Sequence, residues 1–279
     1  MLVTWIPTLL ALGLWLYSLY LALTRTKSPT AKAVAVVALL GLFFSFGGAD
    51  LALTPGNESY PFTVERTRTL PSLEAVEVAL TNAEVVIRPG PGQLTLVYQA
   101  KSAAALARMR PMVQIEDGQL KILDDHPPHR TAYRVVLELP QPVAARVSVT
   151  NGELKAKDRL KSLAFSATNA KARLEDYRPT GPTTINATNG EVALLNFAPL
   201  AATRIEMING KVRVEAARSL RVRAQVTNGV IRLPGETRTG SGGAWVTYGP
   251  AAAPALVVRL LNGEFSYKEV KLSYKEVKP

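Results

Sequence analysis

What most constrains this chain is a phrase that keeps returning: an asparagine, usually followed by glycine, set between stretches of alternating apolar and polar residues. Its copies centre on Asn82, Asp117, Asn151, Asn169, Asn189, Asn209, Asn228 and Asn262, with Gly next in six of them and Ala after Asn82 and Asn169. The spacing is 18, 20, 20 and 19 residues through the middle and 35, 34 and 34 elsewhere, so a long gap reads as two units, one of them degenerate. Counted from the Asn or Asp, positions −4, −2, +3 and +5 are apolar or small in every copy, as with Ile185, Ala187, Val192 and Leu194 around Asn189. Alternation with a period of two marks strands with one face in a core and one in water, so the repeat predicts an all-β fold.

Two folds satisfy that phase. In a meander of two-residue hairpins, −2 faces +3 and −4 faces +5 across an Asn-Gly turn. In a parallel β-solenoid each unit is one coil, and the asparagine turns a corner. A type I′ hairpin needs positive φ at both central residues, which Ala83 and Ala170 resist, whereas a corner needs it of the asparagine alone. The near-constant period also favours coils. The expectation is a single-stranded parallel β-solenoid of roughly 20-residue Asn-Gly repeats, its eight Asn and Asp residues stacked as a ladder of side chains at about 4.8 Å.

Several phrases carry a resemblance: Leu137-Glu138-Leu139-Pro140, Val147-Ser148-Val149-Thr150-Asn151-Gly152-Glu153-Leu154, Ala187-Thr188-Asn189-Gly190-Glu191-Val192 and Val226-Thr227-Asn228-Gly229. Over roughly Phe62 to Tyr267 the chain resembles the bacterial putative-adhesin family of β-strand-repeat domains, a domain of unknown function. The resemblance implies a parallel β-solenoid on an envelope-anchored protein and brings no catalytic residue with it. The alanines after Asn82 and Asn169 and the aspartate at 117 depart from the pattern.

Ahead of the repeat lie two uncharged runs. Leu2 to Leu23 is 22 residues long, about 33 Å as a helix, enough for a bilayer core of about 30 Å. The second, Ala33 to Ala49, is 17 residues and shorter than a full span. Arg25, Lys27 and Lys32 between them place the connector in the cytoplasm by the positive-inside tendency. The expected domains are thus a two-helix membrane anchor at 1–53 (helices about 2–23 and 33–53), a linker at 54–61, the solenoid at 62–265, and a cap or tail at 266–279. The expected location is the plasma (inner) membrane, with the repeat domain outside. A competing reading makes Arg25 to Ala49 a signal peptide. The tail holds a tandem heptad, Ser266 to Leu272 and Ser273 to Pro279, suited to covering an open strand edge.

Chemistry is sparse. There are no cysteines, which removes disulfides, thiolate metal sites and cysteine nucleophiles. Asp124 to Arg130 holds both histidines, but adjacent residues around two prolines do not converge on one ion, so a loop is expected and no metal, cofactor or catalytic residue. Charge is more informative: the net is +11, and outward positions carry Lys155, Arg173, Arg213 and Arg232 at +4 and Arg146, Arg204 and Arg223 at −5. Stacked in register these would form basic columns for an anionic partner, unless the glutamates at +2 pair with them and leave an ordinary solvated face. The expected function is non-catalytic: a basic, rigid surface for adhesion or for binding anionic wall polymers, a lipid surface or another envelope protein, with the lipid bilayer as a further partner and no nucleic acid. The alternatives are the ectodomain of an envelope-stress or signalling accessory and a carbohydrate-active β-helix enzyme.

Overall fold

Seven of the eight repeat units each fold as one long strand bent at its asparagine. The structure is a computed structural model that describes residues 60–124, 131–241 and 243–270. Seven long strands that carry the asparagines run parallel: β2 (Ala75–Pro89), β7 (Val143–Lys157), β8 (Leu160–Glu175), β9 (Thr183–Phe197), β10 (Thr203–Ala216), β11 (Arg221–Leu233) and β14 (Ala255–Glu269). Around them lie β1 (Phe62–Thr69), β3 (Gln93–Ala100), β4 (Met112–Glu116), β5 (Gln119–Leu123), β6 (Thr131–Leu139), β12 (Glu236–Ser241), β13 (Trp245–Tyr248) and one short helix, α1 (Ala103–Arg108), capped by the Ser102 hydroxyl. The sheet order is β1-β3-β6-β2-β7-β8-β9-β10-β14-β11-β12.

The alternation explains the packing. Positions −6, −4 and −2 face inward before the asparagine and +3 and +5 after it, so Phe165, Ile185, Val192, Leu194, Ile205 and Phe265 are fully buried in one continuous core. Burying a side chain of that size contributes about 1.5–3 kcal/mol, far more than strand propensity, so the inward columns hold the stack together. Connecting segments close each unit: Ala198 donates to the Tyr177 carbonyl and Ala217 to that of Phe197, while Tyr177 stacks on Phe197 inside.

The uniform parallel solenoid is corrected by this topology, which is a mixed sheet. β1 with β3, β3 with β6, β4 with β5, and β11 with both β12 and β13 pair antiparallel. The turns give the reason. Asp117 and Gly118 both have positive φ, 48° and 71°, so this copy of the phrase is a two-residue hairpin between β4 and β5 and not a corner. Pro234 and Gly235 (φ 76°) likewise return β12 onto β11. Period-two alternation reads the same in either strand direction.

Two further departures concern order and membrane. β14 lies between β10 and β11, in register with both, so Ser266–Glu269, where the terminal cap was expected, are the last residues of an inserted strand. Residues 271–279 lie outside the described residues. The chain divides into compact units at Met1–Glu58 and Ser59–Pro279, and the segments expected as membrane helices, 2–23 and 33–53, lie outside the described residues. The transmembrane fold and the inner-membrane location are withdrawn, because no helix among the described residues is long and apolar enough to cross a membrane.

Candidate binding groove

The corner comes first, because it fixes everything on its outer side. Parallel pairing sets Asn82, Asn151, Asn169, Asn189, Asn209, Asn262 and Asn228 in line across seven strands. Each amide donates Nδ2–H to the Oδ1 of the asparagine before it in that order, at 2.7–3.0 Å. The first, Asn82, donates to the Thr131 carbonyl at 3.1 Å. Asp117 is elsewhere, in its hairpin. Beyond Asn82, β5 pairs with one arm of β2 and β6 with the other.

Next to each asparagine the backbone is tight. A Cβ on Gly190 would lie 1.8 Å from the Ala170 carbonyl oxygen, and its φ of 146° is one that L side chains rarely adopt. Ala83 and Ala170 fill the same position without positive φ, which is how the two alanine copies stay in line.

With the register fixed, outward residues form ranks. Position −1 reads Thr81, Thr150, Thr168, Thr188, Ile208, Leu261 and Thr227 in strand order, and −3 reads Ala79, Ser148, Ser166, Asn186, Glu206, Arg259 and Gln225. All of them line one open groove of about 870 Å³ that crosses all seven strands, about 29 Å at 4.8 Å per strand. Thr81, Ser148, Thr150, Ser166, Thr168, Asn186 and Thr188 make no side-chain hydrogen bond among the described residues. Ile208 and Leu261, 45% and 47% exposed, add an apolar step beside them. The sequence carries this signal as a threonine directly before five of the seven laddered asparagines, a rank that the pattern of outward charge does not show.

The basic residues singled out for anion binding are placed differently. In strand order the +4 rank reads Val86, Lys155, Arg173, Ala193, Arg213, Ser266 and Arg232, so Ala193 and the inserted Ser266 interrupt it. Most of these cations are already paired. Lys155 contacts Glu84 and Glu153, both at 2.9 Å, and its hydrogen bonds to Glu153 and then Glu84 hold its pKa above the ordinary lysine value. Arg173 meets Glu175 at 2.6 Å, Arg204 meets Glu206 at 2.6 Å, Arg213 meets Glu215, and Arg232 meets Glu264. Partial burial pushes the Glu215 carboxyl up, but hydrogen bonds from Arg213 and Lys268 outweigh it and leave the pKa below the usual carboxylate range. Arg146 lies beside Glu77 in register without an ion pair among the described residues, and Arg223 packs over the Trp245 ring.

No three acidic, histidine or cysteine side chains gather as a metal site among the described residues. The two carboxylates lining the groove are Asp124, beside β2, and Glu206 on β10. At least four strand spacings separate them, about 19 Å, whereas glycoside hydrolysis uses carboxyls about 5–10 Å apart.

No family model matches this chain, and none of the curated proteins matches it. Among solved structures it is similar to a "putative cell adhesion protein" from Clostridium sporogenes, with 15% identity and a TM-score of 0.46 over 75% of this chain and 100% of that one. It is also similar to a "putative adhesin" from Bacteroides fragilis, with 9% identity and a TM-score of 0.33 over 75% and 97%. A "putative lipid binding protein" from Parabacteroides distasonis gives 10% identity and a TM-score of 0.24 over 78% and 98%.

Proposed function

We propose that this chain is a non-catalytic binding protein of the adhesive kind, which holds an extended envelope polymer along the threonine-lined groove. One observation carries the reading: a rank of hydroxyl and amide side chains, spaced by the strand repeat and without partners of their own, in a groove long enough for several units of a polymer. Unpaired donors and acceptors at a fixed spacing suit a ligand that repeats hydroxyl groups at a similar spacing, and the Ile208–Leu261 step suits the C–H faces of sugar rings. The ordered stack supplies the rigidity, so little conformational freedom is lost on the protein side when the polymer docks.

The separation of the two groove carboxylates supports a binder over a hydrolase. The paired state of Arg173, Arg204, Arg213 and Arg232 moves the reading away from basic columns and towards the groove, because exposed ion pairs leave little field for an outside anion. The test is polysaccharide binding by wild type and by the triple variant Thr150→Val, Thr168→Val, Thr188→Val. Valine keeps the branched shape and the strand preference while removing the hydroxyl. The expected result is an intact fold with binding weakened at least about tenfold, each hydroxyl contributing about 0.5–1.5 kcal/mol. Unchanged binding in a folded triple variant would overturn the groove as the site.

A further inference from the structure

One end of the groove is chemically unlike the rest. Position −3 there reads Glu206, Arg259 and Gln225 on β10, β14 and β11, and Trp245 on β13 pairs with Gln225 in register. Gln225 is held at both ends of its amide: it accepts from Arg259 Nε at 3.2 Å and donates to the Gly243 carbonyl at 2.5 Å. That fixes the Arg259 guanidinium, which also lies 5.4 Å from the Trp245 ring centroid and 3.6 Å from Glu206. Arg223, two residues before Gln225 on the same face, sits 4.3 Å from the same ring. It has no carboxylate and no hydrogen-bond partner among the described residues. Arg204 takes the nearer bond to Glu206, at 2.6 Å.

Arg204 and Arg259 therefore share Glu206, while Arg223 and Arg259 lie about one indole and Arg223 has no carboxylate of its own among the described residues. A guanidinium flat on an aromatic ring keeps its edge donors pointing away, and that fork fits a carboxylate in two parallel hydrogen bonds. Two like charges held about one ring are mutually unfavourable until an anion sits between them. Building on the groove reading above, we infer that Arg223, Arg259 and Trp245 form an anion subsite that takes a carboxylate of an acidic polysaccharide whose hydroxyls lie along the threonine rank. The polymer chemistry follows from the two halves together, since hydroxyl recognition and carboxylate recognition are joined in one continuous surface through Gln225 and Thr227.

The experiment uses the full chain and three probes: an oligogalacturonate, its methyl ester, and a glycerol phosphate polymer of similar length. The acid should bind at least about tenfold tighter than the ester at low salt, with the difference shrinking as salt rises. Arg223→Gln should erase that preference in a protein that still unfolds cooperatively, bringing the affinity for the acid down to that for the ester, and Arg223→Lys, which keeps charge without the fork, should restore only part of it. If ester and acid bind alike, the subsite is overturned while the groove reading stands. A preference that survives in Arg223→Gln also overturns it. Tighter binding of the phosphate polymer overturns the carboxylate assignment. If neither sugar probe binds, the groove reading fails and the subsite falls with it.

Discussion

Asn189 sits mid-ladder, donating to Asn169 and accepting from Asn209, each at 2.8 Å. Asn189→Ala strands a donor on one side and an acceptor on the other, so it should cost about 2 kcal/mol, read as a shift of the urea midpoint at constant slope. Asn228→Ala breaks one bond at an exposed position and should cost less than about 1 kcal/mol. Equal costs would mean that the amide chain adds nothing beyond its single links. Gly190→Ala is a sharper case. Its new methyl would meet a backbone oxygen that belongs to an in-register pair, so the stack must shift, and a loss above about 2 kcal/mol is expected by denaturant unfolding. A neutral Gly190→Ala would show that the corner relaxes freely, as it already does around Ala170.

At the scale of elements, the informative strand is β14. β10 and β11 follow one another in the chain but are not neighbours in the sheet: β14 lies between them, pairing along 13 positions with β10 and 11 with β11. Ending the chain after Pro254 should therefore leave two unpaired edges inside the core and give a protein without cooperative unfolding, and a peptide of residues 255–270 added in trans should restore it. A cooperative truncated protein would mean that β10 and β11 can close on each other. Strand phase was legible in the residues themselves, because every laddered asparagine is flanked by apolar residues at −4, −2, +3 and +5. Strand order was not. Nothing in Asn262 marks it as the neighbour of Asn209 and Asn228 together, since the pairing is decided by which inward columns fit. The Asp117 copy shows the same limit: two short strands of five residues and an Asp-Gly pair make a hairpin, while fifteen-residue strands make a bend.

At the scale of the whole repeat unit, Ser59–Pro279, the parallel stack makes the site. One register rule, asparagine beside asparagine, aligns the inward columns into a core and the −1 and −3 positions into a groove, so stability and recognition share a cause. Outward charge alone points to Arg173, Arg213 and Arg232; the carboxylates that pair with the first two, Glu175 and Glu215, stand at +6, beyond the repeat positions, whereas Glu264, which pairs with Arg232, is one of the glutamates at +2. The groove needed only the residue before each asparagine. The most direct test is methyl NMR of the threonine, isoleucine, valine and alanine side chains during titration with a bound polysaccharide. Shifts should fall in one line along Thr81, Thr150, Thr168, Thr188, Ile208 and Thr227, with outward residues of the +4 rank such as Val86 and Ala193 unmoved. Shifts confined to the +4 rank, or scattered without regard to strand order, would contradict the groove and the register that builds it.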